Sequence, residues 1–249
     1  MRWWRNLRNL PPPLVHNYSM AQFKEFMCQE TWQFSPAYAK KNVCLKNEEE
    51  LIALSKIQGV MVVFLHLGSW ILAGGALKHQ RGLPYTVIAS TRNLDYCTPE
   101  EKTFWLGAHA RTRVFYQEPV FYSHDPVRLT LNWLKKPGNI LGVALDVREA
   151  NRPLKEAPFQ FMDRQIHLQT GPAKLAKLAN AAVIPSVTWY DLERRQHVLQ
   201  FMPALTRLED PAAVTQAALG AIEPFIRLYP NQQFYEIAKI LAQPHQPIT

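Results

Sequence analysis

Short runs of apolar residues alternate along this chain with stretches that have helical spacing. The run at 60–65 leads into His66, a glycine-containing turn and a helical pattern that ends near Gln80. Similar apolar runs occur at 85–89, 140–145, 182–188 and 197–201. Continuous apolar runs of this length are typical of strands buried on both faces of a sheet. Strands that alternate with helices predict an α/β fold, with a mostly parallel central sheet and helices on both faces.

Local start and stop signals predict the elements between these strands. Asn47 precedes three glutamates and is expected to cap a helix that ends at Gly59. Pro224 is expected to break or kink the last long helix, which Asp210 caps. A short strand is predicted at 114–116 and a hairpin at 159–167. Further helices are predicted at 19–34, from residue 98 onwards, and at 124–136, 170–180 and 231–241.

Two residues that could take part in catalysis directly follow predicted buried strands. His66 ends the strand at 60–65, and Asp146 ends the strand at 140–145. Carboxyl ends of parallel strands gather at one edge of a sheet, and ligands bind in the crevice beyond that edge. We therefore expect the Asp146 carboxylate to lie within reach of the His66 imidazole, beneath a loop at 147–158. The alternative is that His66 is a half-buried histidine without a chemical role.

Charge and cysteine usage limit the classes of partner. The formal charge is +8 and the pI about 9.4, which favours an anionic partner such as a nucleic acid, a lipid surface or an acidic protein. No nucleic-acid recognition motif is present, so a nucleic acid is not expected. The three cysteines, Cys28, Cys44 and Cys97, lack metal-ligand spacing and indicate a reducing, cytoplasmic location. The sequence predicts no metal site.

The N-terminus differs in character from the rest of the chain. Residues 1–10, from Met1 to Leu10, combine Trp3 and Trp4 with arginines and contain no long apolar core, unlike a signal peptide. Tryptophan beside arginine is typical of a segment that lies in a lipid interface, although a tail packed on its own domain fits equally well. We expect a basic aromatic segment at 1–18, a single domain at 19–249, and a peripheral contact with an anionic membrane such as the inner membrane.

A set of motifs in a fixed order resembles a known family. The segments are FLHLGSW at 64–70, Asp146, APFQF at 157–161, TGPAKLA at 170–176, AAVIP at 181–185 and IRLYPNQQF at 226–234. In order and spacing they resemble the bacterial lipid A biosynthesis (lauroyl/myristoyl) acyltransferases, within the wider glycerophosphate and lysophospholipid acyltransferase superfamily. The resemblance implies a single α/β acyltransferase-like domain. It also implies transfer of an acyl group from acyl carrier protein or acyl-CoA to a hydroxyl or amine acceptor, without a cofactor.

The resemblance assigns the general base to His66, but the orienting acid of the family is missing. The family carries an acid five residues after the histidine, and this chain has Ile71 there. Three interpretations remain open. Asp146 replaces the acid, or His66 acts alone on an easily deprotonated acceptor, or the protein is a pseudoenzyme that binds acyl groups or lipids without transferring them.

Other polar residues near the predicted sheet edge are substrate-binding candidates. They are Arg92, Arg111, Arg113, Arg164, Ser69, Thr170 and Gly171. The arginines could clamp a phosphate, or they could be solvated surface side chains. Ser69 is interpreted as a helix cap in preference to a nucleophile. Thr170 and the backbone N–H of Gly171 open a helix and could hold an oxyanion, with simple capping as the alternative.

Overall fold

The computed structural model describes residues 34–90, 99–147, 156–205, 209–232 and 237. Its helices are α1 Pro36–Asn42, α2 Glu49–Ser55, α3 Trp70–Arg81, α4 Pro99–Tyr116, α5 Val127–Leu134, α6 Gly171–Ala179 and α7 Pro211–Leu228, followed by a 3₁₀ turn at Pro230–Gln232. Its strands are β1 Val43–Lys46, β2 Val60–Phe64, β3 Tyr85–Ala89, β4 Phe121–Tyr122, β5 Ile140–Ala144, β6 Glu156–Phe161, β7 Arg164–Gln169, β8 Ala182–Asp191 and β9 Gln196–Phe201.

One seven-stranded sheet organises the molecule. Its strand order is β1-β9-β8-β2-β5-β3-β4, and every neighbouring pair is parallel except β8 and β9. β6 and β7 form a separate antiparallel hairpin. The predicted α/β fold, with a mostly parallel central sheet in a single domain, is confirmed.

The central strand β2 separates two apolar cores. Val60 and Val62 point to the face covered by α1, α2, α3 and α4, which we call the α3 face. Met61 and Val63 point to the face covered by α5, α6, α7 and the hairpin, which we call the α7 face. Every residue of β2 is buried, as its unbroken apolar sequence predicts for a strand that is covered on both sides. Helices therefore lie on both faces, also as predicted.

Two predictions of local structure are wrong. Residues 114–116 are the last turn of α4 and not a strand, because Thr112, Phe115 and Tyr116 are buried at helical spacing. Asn47 does not cap α2: it has a φ of 56°, and the cap position is Glu48. In both places packing over the whole helix outweighs the short motif.

The remaining differences concern boundaries. The hairpin is longer than predicted, and its first strand includes residues 156–158 of the expected loop. Helix α7 continues through Pro224, so this proline does not end it. The sequence analysis did not predict α1, β1 or β4. The predicted helices at 19–34 and 231–241, the boundary at residue 18 and most of the loop at 147–158 lie outside the described residues. No helix in the described ranges is long and apolar enough to cross a membrane.

Candidate active site

His66 and Asp146 form a buried pair at the carboxyl edge of the sheet and are joined by two hydrogen bonds. Asp146 Oδ1 lies 2.7 Å from His66 Nδ1, and Asp146 Oδ2 accepts the backbone N–H of His66 at 2.8 Å. His66 is 9% exposed and Asp146 is 2% exposed. The predicted contact between the two residues is therefore present. Their catalytic roles stay a prediction.

The strand register explains why these two residues meet. β2 and β5 are parallel neighbours, and Phe64 is the register partner of Ala144. His66 and Asp146 each lie two residues further along, and side chains two positions apart share a face of a strand. The backbone bond from Leu145 N–H to the Phe64 carbonyl, at 2.8 Å, carries the pairing up to the site.

The bonding pattern defines the chemistry available to the imidazole. A carboxylate can only accept hydrogen bonds, so Nδ1 carries the hydrogen that it donates to Asp146. In that tautomer Nε2 has the lone pair and is the basic nitrogen. A charge on the ring, formed when Nε2 takes a proton, is stabilised by the adjacent carboxylate. The pair can therefore act as a general base.

Aromatic rings pack against the other sides of the imidazole. The Trp70 ring meets it edge to face, with centroids 5.2 Å apart, and the Phe64 ring lies 6.0 Å away. Trp70 also stacks on Phe64 at 5.9 Å. These contacts restrict the orientation of the ring. Sequence reasoning placed Trp70 only on the helix, since a single tryptophan at a helix start carries no pattern that points to a histidine.

A tight turn carries the histidine from β2 into α3. Gly68 has a φ of 59°, and a Cβ there would lie 2.5 Å from the Thr188 carbonyl oxygen. Only glycine fits this conformation and this close approach to β8. The Thr188 hydroxyl donates a hydrogen bond to the Leu67 carbonyl from the same side. The turn is thus packed directly on the neighbouring strand.

An apolar cleft runs between the sheet and α3, and two of its lining residues, Phe64 and Trp70, pack against the His66 ring. Its lining includes Val62, Phe64, Trp70, Leu77, Ser186 and Leu199. As it stands, the cleft has room for about one water molecule. The family's acid position, Ile71, is 6% exposed and belongs to the core of the α3 face. An apolar side chain therefore fills that position, and the acid bonded to His66 is Asp146.

The other predicted substrate-binding residues are spread around the sheet. Ser69 and Thr170 occupy the cap positions of α3 and α6, yet neither side chain makes a capping hydrogen bond. The interpretation of Ser69 as a cap is correct in position only. Gly171 begins α6 and Arg164 begins β7. The remaining candidates are exposed arginines of α4 or lie outside the described residues: Arg111 stacks over Phe34 at 5.1 Å, Arg113 is also exposed, and Arg92 is outside.

A second buried histidine lies on the α3 face. His197 of β9 is 3% exposed, and neither of its ring nitrogens has a hydrogen-bond partner among the described residues. Its ring packs against Tyr190 at 4.9 Å and Tyr38 at 6.0 Å. Burial lowers its pKa to about 4. It is therefore neutral near pH 7. Within the described part of the chain, no group of three His, Cys, Asp or Glu side chains could hold a metal ion.

A comparison with known families matches the second half of the chain. Residues 130–236 match the model of the bacterial lipid A biosynthesis acyltransferase family. Over this segment the chain is similar to the bacterial lipid A biosynthesis acyltransferases. The matched segment contains Asp146 and ends beyond α7, whereas His66 lies before it. The match supports a general acyltransferase role. No curated protein matches the chain.

Proposed function

We propose that this acyltransferase-like protein moves an acyl group from an acyl thioester to a hydroxyl or amine acceptor, with His66 as general base and Asp146 as orienting acid. The observation that carries the proposal is the pair of hydrogen bonds between Asp146 and His66, one to the ring at Nδ1 and one to the backbone N–H. An acid that holds both groups keeps one tautomer and one ring orientation, which general-base catalysis needs.

The proposed reaction needs no group beyond the two substrates and the pair. Nε2 of His66 takes the proton of the acceptor as the acceptor atom attacks the thioester carbonyl carbon. The tetrahedral intermediate then collapses, the carbon–sulfur bond breaks, and the imidazolium returns the proton to the departing thiolate. The products are the acylated acceptor and a free thiol. Asp146 stabilises the imidazolium that exists between the two proton transfers.

The apolar cleft beside Phe64 and Trp70 is the proposed site of the acyl chain. These two residues pack against the His66 imidazole, and the lining of the cleft is largely hydrocarbon and aromatic. Since it has room for about one water molecule, an acyl chain has to displace side chains such as Trp70 to enter. The proposed donors are acyl carrier protein and acyl-CoA. The net charge of +8 favours both, because each presents anionic groups.

Intact-mass and product mass spectrometry test the proposal. The full chain is incubated with a panel of acyl thioesters and with hydroxyl and amine acceptors, alongside His66→Ala and Asp146→Asn. We expect wild-type transfer and a reduction of about 10²- to 10⁴-fold in His66→Ala, the usual worth of a general base. His79→Ala, at the far end of α3, is the control. Unchanged transfer in a folded His66→Ala protein would refute the assignment.

The alternative is an acyl- or lipid-binding pseudoenzyme on the same fold. The observation that favours it is Ile71, a buried apolar residue at the position where the family carries its acid. The same samples distinguish the two functions. Saturable binding of an acyl thioester without turnover, equal in wild type and His66→Ala, supports the pseudoenzyme. Turnover that depends on His66 excludes it.

A further inference from the structure

The turn that carries His66 is bonded on its outer side to the chain segment that follows α7. The backbone N–H of Gly68 donates to the carbonyl of Gln232 at 2.9 Å. Gln232 ends the 3₁₀ turn Pro230–Gln232. Gly68 is two residues from His66, so this bond joins the His66 turn to a segment that is more than 160 positions away in the sequence.

The Gln232 side chain in turn binds the end of β8. Its Oε1 accepts the backbone N–H of Tyr190 at 2.5 Å, and its Nε2 donates to the Tyr190 carbonyl at 2.8 Å. The side-chain amide of Gln232 thus bonds both the backbone N–H and the backbone carbonyl of Tyr190, as a residue of a neighbouring strand would. β8 is bonded to β2 through the sheet, so the position of Gln232 is set by the strand beside His66.

We propose that Gln232 is a positioning residue for His66 in the acyl transfer proposed above, on which this inference rests. The amide fixes the Gln232 backbone against β8, and the Gln232 carbonyl then holds the Gly68 N–H. Asp146 restrains the imidazole from the β5 side, while Gln232 restrains the turn from the β8 side. Displacement of a reacting group by about 1 Å costs on the order of 10²-fold in rate, so this restraint bears on the turnover number.

The chain contains a matched control for this residue. Gln216 of α7 makes the same pair of bonds with Gln160 of β6: its Oε1 accepts the Gln160 N–H at 2.8 Å, and its Nε2 donates to the Gln160 carbonyl at 2.9 Å. Gln216 fastens a helix to the exposed hairpin and touches neither His66 nor its turn. Removal of the Gln216 amide or of the Gln232 amide deletes the same two kinds of hydrogen bond. Only the change at Gln232 affects a segment that is bonded to the His66 turn.

The experiment compares Gln232→Met with Gln216→Met in the full chain. Methionine keeps the length of the side chain and removes both hydrogen bonds. We expect kcat to fall about 10- to 100-fold in Gln232→Met with little change in KM, and to stay at the wild-type value in Gln216→Met. Urea unfolding measures the loss of stability in each. Proton NMR follows the His66 Nδ1–H resonance, which we expect to shift or broaden only in Gln232→Met.

The two readouts separate this inference from the proposed function. If the wild type transfers no acyl group, the proposed function fails, and the Nδ1–H resonance alone decides whether Gln232 positions the ring. An unmoved resonance, or a kcat equal to that of Gln216→Met, overturns the inference. Should Gln232→Met not fold, Gln232→Glu is measured in the same way. It keeps the acceptor for the Tyr190 N–H but loses the donor, so an intermediate effect is expected.

Discussion

Acidification should destabilise this protein through His197. The imidazole is buried between Tyr38 and Tyr190, and neither nitrogen has a hydrogen-bond partner among the described residues. Burial disfavours the charged ring and lowers its pKa to about 4, from an ordinary value of 6.5. Between these two values the unfolded chain binds a proton that the folded chain does not.

The sign and size of the effect follow from this difference. The stability that the neutral, buried ring contributes is fully present above pH 6.5 and is lost as the pH falls towards 4, because protons then favour the unfolded chain. The slope in this window is at most about 1.4 kcal/mol per pH unit. Across the window the free energy of unfolding should fall by about 3 kcal/mol on account of His197 alone.

The assay is urea unfolding of the wild type and His197→Phe at about pH 7, 6, 5 and 4.5. Phenylalanine fills the same aromatic site and cannot bind a proton. The difference in unfolding free energy between the two proteins removes the contribution of every other titrating group. As the pH falls, the unfolding free energy of the wild type should decrease relative to that of His197→Phe. His124→Phe, at an exposed position, controls for the loss of a histidine in general. Parallel pH dependences of wild type and His197→Phe would refute the reasoning.

Three further predictions concern the turn, the missing acid and the N-terminus. Gly68→Ala should lower the unfolding free energy by at least about 2 kcal/mol and abolish acyl transfer, because positive φ is combined with a clash against β8. Gly82→Ala has a similar φ in open space and shows the cost of φ alone, so equal losses would contradict the clash. Ile71→Glu should cost about 3 kcal/mol or more in urea unfolding by burying an unpaired charge, with Ile71→Val as the control; near-native stability would show that the position is open. Deletion of residues 1–10 should weaken sedimentation with anionic liposomes, as each cation near the surface contributes about 1 kcal/mol, and equal sedimentation of both forms counts against the segment.

The central contact of the site could be predicted from sequence because two strong signals coincide. Two apolar runs predicted buried strands of one parallel sheet, and one polar residue follows each run at its carboxyl end. Parallel strands bring such ends together, and the register places His66 beside Asp146. The strands β2, β3 and β5 were predicted almost to the residue for the same reason, since their burial on both faces leaves a continuous apolar pattern.

Elements that depend on distant partners could not be predicted in this way. β1 has four residues and is held in place by pairing with β9, far along the chain, so its own sequence carries little information. The end of α4 contains Val114, Phe115 and Tyr116, which favour strands locally, whereas packing against α3 keeps them helical. Gln232 is the middle residue of the polar run Asn231-Gln232-Gln233, which follows Pro230. Its only signal was its place in the closing motif of the family resemblance.

In the proposed function Asp146, which follows β5, has the role of the acid that the family resemblance places at Ile71 of α3. Asp146 follows the strand next to β2, so the ladder of backbone bonds that continues to Leu145 sets its distance from His66. It also reaches the His66 backbone N–H, which ties the carboxylate to the residue it orients. Its position therefore depends on the rigid sheet and not on α3. α3 also forms one wall of the cleft, which has room for about one water molecule. Because Asp146 is held by the sheet, the proposed entry of an acyl chain along the α3 wall would leave its contact with His66 in place.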